Sequence, residues 1–90
     1  MNTLSTSHST LNEIDFNYDF TKLVTCGDDD VFRVWDTSTW TSFYTSSSMG
    51  SDINTCKFTY DDTIIIGMDD GRVRTFHPTS ATSYPSSADQ

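Results

Sequence analysis

The sequence predicts an all-β chain built from two copies of one antiparallel, four-stranded unit, and three observations predict it. The large apolar residues fall in short runs rich in β-branched and aromatic types, each bounded by an Asp-rich or Gly-containing turn. No window carries the spacing of an amphipathic helix. The chain also repeats itself. Phe16-Asn17-Tyr18-Asp19 returns 42 residues later as Phe58-Thr59-Tyr60-Asp61, and Asp28-Asp29, Arg33 and Trp35 return 41 residues later as Asp69-Asp70, Arg74 and Phe76. The slip from 42 to 41 places a one-residue deletion in the first hairpin turn of the second copy, where loops tolerate it.

The elements run in order along the chain. Strands are expected at 11–16, 22–26, 31–35 and 41–45, then at 53–58, 63–67 and 72–76. Tyr18-Asp19, Asp28-Asp29-Asp30, residues 46–50, Tyr60-Asp61-Asp62 and Asp69-Asp70-Gly71 supply the turns between them. Along 31–35, Val31, Arg33 and Trp35 face one side while Phe32 and Val34 face the other, so both sides of the sheet need covering. The organisation reads as a Ser/Thr-rich segment at 1–10 that could add an outer strand, a first unit at 11–45, a second at 46–77, and a Ser/Thr/Pro-containing tail at 78–90.

Composition limits the function classes. Ninety residues with 13 acidic and 5 basic side chains carry a net charge of −8. Five scattered cations make no phosphate-tracking surface, which argues against nucleic-acid binding. The longest aliphatic run is Ile64-Ile65-Ile66, far short of a membrane-spanning helix. The N-terminal ten residues carry neither a basic nor an apolar leader region. Cys26 and Cys56 stand singly and on non-equivalent strands, which argues for a reducing compartment and against a redox pair.

The first unit, IDFNYDFTKLVTCGDDDVFRVWD, resembles a WD40 repeat, with its Asp-containing turn, Asp-rich turn and Trp-Asp ending. The second, CKFTYDDTIIIGMDDGRVRTFH, keeps the frame and ends in Phe76-His77 instead. The resemblance implies that each unit is a β-propeller blade within a larger or assembled ring. Residues 67–90 further resemble WD-repeat proteins that line the lumen of ciliary doublet microtubules. This second likeness implies a non-catalytic scaffold in the cytoplasm and cytoskeleton, in a ciliary or flagellar axoneme. Its expected partners are other blades or copies of itself, together with tubulin or axonemal proteins. A generic cytosolic WD40 adaptor is the alternative.

In many WD40 blades a His, a Ser or Thr, an Asp and a Trp form a buried hydrogen-bonded chain. The matching residues here are His8, Thr25, Asp29 and Trp35, with His8 one residue closer to Phe16 than usual. The second unit has Gly50, Ile66, Asp70 and Phe76 at those places, so it is expected to hold by apolar packing alone. A nucleophile system on His8 with Ser7 or Ser9 lacks a strained nucleophile turn, so no catalytic residues are expected. Asp28-Asp29-Asp30 lacks the spaced acids and distal Glu of a calcium loop, so neither metal nor cofactor is expected. Candidate interaction positions are the turns at one end of the units, through Asn12, Asp28, Asp30, Asn54, Asp69 and Gly71.

Overall fold

The computed structural model describes residues 5–6, 9–80 and 83–85. Seven strands succeed one another: β1 (Leu11–Phe16), β2 (Lys22–Gly27), β3 (Phe32–Asp36), β4 (Thr41–Thr45), β5 (Ile53–Phe58), β6 (Ile64–Met68) and β7 (Val73–Phe76). They form two antiparallel sheets, ordered β1-β2-β3-β4 and β5-β6-β7. Every expected strand is present, with ends shifted by a residue where Val31, Thr63 and Arg72 belong to the turns. The one-residue deletion sits where the repeat places it. The Asn17 N–H donates to Lys22 O in the first hairpin, while the Thr59 N–H donates to Thr63 O in the shorter second one.

The second sheet departs from the expected four strands and has three among the described residues. After Phe76 the chain meets Pro78, which has no N–H for a ladder. It then turns back through a Ser80–Ser83 bridge. Tyr84, expected within a polar tail, is buried. Its hydroxyl donates to Asp62 O, and the Tyr44 hydroxyl donates to Pro85 O. Burial raises both phenols above their ordinary range. At the other end, residues 5, 6, 9 and 10 lie outside any strand, and the rest of the 1–10 segment lies outside the described residues.

The two sheets pack face to face. Cross-strand pairing puts Val24 and Val34, and Cys26 and Phe32, on one face of the first sheet. In the second sheet it aligns Cys56, Ile66 and Arg74, and Phe58, Ile64 and Phe76. These faces meet in a common core, where Val24, Cys26, Phe32, Val34, Ile64, Ile66 and Phe76 are buried and the Phe32 and Phe76 rings meet edge to face at 4.9 Å. Each fully buried aliphatic or aromatic side chain contributes about 1.5–3 kcal/mol. Repeat equivalence shows why the stacking is directional: Leu23, Thr25, Arg33 and Trp35 match Ile64, Ile66, Arg74 and Phe76. The face that the second sheet turns toward the first is therefore the face that the first turns away.

Candidate functional site: a carboxylate clamp and two contrasting ends

Hydrogen bonds as well as apolar packing join the sheets. β5 is an edge strand, and alternation along it leaves the Cys56 and Phe58 N–H groups pointing away from β6. Both are taken by acids of β1. Glu13 Oε1 accepts from Cys56 N at 3.2 Å, and Asp15 Oδ2 accepts from Phe58 N at 2.8 Å. Lys57 adds an ion pair to Glu13 at 3.6 Å. Two carboxylates at i and i+2 thus clamp two backbone donors of the neighbouring sheet. Sequence reasoning missed the clamp, although Glu13 and Asp15 alternating with Ile14 and Phe16 is its visible signal: an inner strand carrying acid on one face.

Beside the clamp the structure brings together Cys26 and Cys56, which stand singly in the sequence and on non-equivalent strands. Both thiols donate to Glu13 O, at 3.8 and 3.5 Å. The adjoining Cys26 thiol, together with burial, pushes the Cys56 thiol far up. It is a protonated packing group rather than a nucleophile.

Of the four residues expected in a polar chain, Thr25 and Trp35 are in direct contact. Trp35 Nε1 donates to Thr25 Oγ1 at 3.0 Å in a buried setting. Asp29 receives Arg33 Nη1 at 3.1 Å. His8 lies outside the described residues. In the second unit Ile66 and Phe76 are buried, and Asp70 pairs with Arg72 at 3.6 Å on the surface. Arg74 Nε is buried without a hydrogen-bond partner among the described residues.

The six candidate interaction positions gather at one end of both sheets. They repeat a motif: Asn12 Nδ2 donates to Asp28 Oδ1 at 2.7 Å, and Asn54 Nδ2 donates to Asp69 Oδ1 at 3.4 Å. Asn12 also donates to Ile53 O, which ties this end of one sheet to the other. Asp30 and Gly71 take positive φ in their turns. Burial, then the charges of Asp28, Asp30 and Asp69, raise the Asp52 carboxyl above its ordinary value. The end is acidic, and no group of three His, Cys, Asp or Glu among the described residues is arranged to hold a metal.

The opposite end is aromatic. Tyr18 and Tyr60, at the tips of the matching hairpins, stand 70% and 79% exposed with ring centroids 4.8 Å apart. Phe20 is 69% exposed and meets Phe16 with the rings tilted by 58°. The repeated Phe-x-Tyr-Asp segment is the sequence signal for this end, since it places an aromatic where a turn needs none.

Comparison with known families gives one match. Residues 1–36 match the family model described as WD domain, G-beta repeat. No curated protein matches the chain. The matched segment stops at Asp36, the last residue of β3, so β4 completes the first sheet from outside it. Residues 1–36 thus carry a WD40 repeat, of the kind found in protein-interaction scaffolds that are generally non-enzymatic, and the two antiparallel sheets are consistent with WD40 blades.

Proposed function

We propose that the chain is a non-catalytic WD40 scaffold module, two consecutive blades of a larger propeller, that serves in the lumen of ciliary doublet microtubules. The observation that carries the scaffold reading is the directional stacking of two equivalent sheets, each with one face turned outward. The boundary at Asp36 supports a larger ring. A unit running from 37 to 77 gives its first strand, β4, to the preceding sheet, so the fourth strand of the second sheet belongs to a third unit. The ciliary assignment rests on the resemblance of residues 67–90 to cilia- and flagella-associated protein 52, a WD-repeat protein of that compartment.

The chain carries a charge of −8 and tubulin is acidic, so long-range attraction does not drive the encounter. Attachment must come from short-range, shape-matched contacts, for which Tyr18, Phe20 and Tyr60 offer exposed aromatic surface. The test is a tagged native protein, purified axonemes and washes of rising salt. Retention through moderate salt, lost in Tyr18→Ser/Tyr60→Ser, is expected. Absence from axonemes makes the chain a cytosolic adaptor instead.

A further inference from the structure

We propose that the edge of β1 left unpaired among the described residues is a docking surface for a propeller blade whose inner strand carries carboxylates at i and i+2, and that a second copy of this chain does not supply one. The proposal rests on the reading of the two sheets as blades. Within the chain the pattern is already complete once: Glu13 and Asp15 hold the Cys56 and Phe58 N–H groups of the next sheet. One unit earlier, the same two positions are Ile14 and Phe16 on β1. Ile14 pairs with Thr25 and Phe16 with Leu23. The Asn17 N–H donates to Lys22 O, so alternation turns the Ile14 and Phe16 N–H groups away from β2. The two residues are 47% and 40% exposed, and an open cavity of about 390 Å³ is lined by Leu11, Asn12, Glu13 and Ile14.

This edge needs two acceptors spaced as Glu13 and Asp15 are spaced. The outward face of the second sheet is what another copy would bring, and there the matching residues are Thr55 and Lys57. An ammonium only donates, so Lys57 opposes a backbone N–H with the wrong polarity. Thr55 lies flat over Gly67, its Oγ1 only 2.7 Å from where a Cβ on that glycine would sit. Its side chain ends at the γ position, short of the carboxylate reach of Glu13. The two outer faces are therefore not complementary to each other, and the edge of β1 is matched by a different, acid-bearing blade.

The test restores the missing acids. Wild-type chain and T55E/K57D are compared by light scattering after size exclusion at matched concentration, with backbone hydrogen exchange of each species. The wild type is expected at the mass of one chain, 10.1 kDa. T55E/K57D is expected to assemble into roughly two to four chains, the number that supplies the 4–8 blades of closed propellers. In that assembly the Ile14 and Phe16 amides should exchange at least about tenfold more slowly. Adding I14P, which removes one edge donor and no ladder bond, should return the mass to one chain. K57D alone, the milder change at an exposed site, should move part of the population. The proposal is overturned if T55E/K57D and K57D both stay at one chain, if the wild type assembles with Ile14 and Phe16 protected, or if assembly leaves those amides unprotected. None of these readouts depends on axonemes, so failure of the ciliary assignment leaves them unchanged.

Discussion

Removing the acid of the shorter clamp bond measures how strongly the two sheets are joined by polar contacts. In Asp15→Ala, Phe58 N loses a carboxylate acceptor at 2.8 Å. A hydrogen bond to a charged group contributes about 1.5–3 kcal/mol, and an orphaned buried donor costs about 1–3 kcal/mol. Phe58 is half-buried on an edge strand, so water partly replaces the lost acceptor and the lower part of that range applies, about 1.5–2 kcal/mol. For a chain of this length the unfolding entropy is roughly 190 cal/mol/K, so each kcal/mol moves Tm by about 5 °C. Thermal melts at neutral pH should therefore show Asp15→Ala about 8–10 °C below wild type. Asp15→Asn keeps an acceptor oxygen at the same reach and should lose less than about 3 °C. Glu13→Ala should fall between them, because its bond is longer and its ion pair to the exposed Lys57 adds little. Equal losses in the Ala and Asn variants would falsify the clamp, since only one of them removes the acceptor.

Three more outcomes are expected from other parts of the fold. Trp35→Phe should cost about 1–2 kcal/mol by removing the donor to Thr25, and Trp35→Ala about 3–5 kcal/mol as a large core truncation; urea titrations that place both near zero refute the buried contact. Asp52 carries a raised carboxyl, so its ionised form costs the native state stability above its folded pKa. Asp52→Asn should therefore melt higher than wild type at pH 7, and the gap should close as the pH falls toward 3.8, the ordinary value. Below 3.8 wild type and variant should both lose stability, because hydroxyls of Thr21, Ser38 and Thr59 hold Asp19, Asp36 and Asp61 below that value. Finally, Trp40 closes the β3–β4 turn at φ 56. Trp40→Gly should raise stability by about 0.5–1 kcal/mol, read from denaturant midpoints, by relieving a left-handed backbone in a bulky residue.

The strands and their pairing were legible because the period of the turns, the β-branched runs and the self-comparison all gave one answer. The deleted residue at the β5–β6 hairpin could even be placed, from the offset falling from 42 at Tyr60-Asp61 to 41 at Asp69-Asp70. What escaped were features that depend on contact between sheets. Glu13 and Asp15 look like solvated acids until β5 is set beside them. Cys26 and Cys56 look unrelated because they occupy different strands of different units, yet the packing of β2 against β5 makes them neighbours. Tyr84 looked like part of a polar tail because its neighbours are Ser, Thr and Pro, and its burial comes from ring contact with Tyr44, which in turn meets Phe32. Of the candidate site, Thr25 and Trp35 meet, while the exposed aromatic tips lie at the opposite end from the turns the sequence favoured.

The clamp also divides mutational freedom unequally between the two strands it joins. β5 contributes only main-chain N–H groups, which nineteen of the twenty amino acids possess, so substitution at Cys56 or Phe58 leaves the recognised atoms in place unless proline arrives. β1 contributes two particular carboxylates, and no other residue pair brings the same charge to the same reach. Drift along β5 is thus screened mainly for packing, whereas drift at Glu13 or Asp15 is screened for identity. A family of such chains aligned position by position should show acid retained on the first inner strand while its clamped neighbour wanders, an imprint of the interface that can be read without any structure.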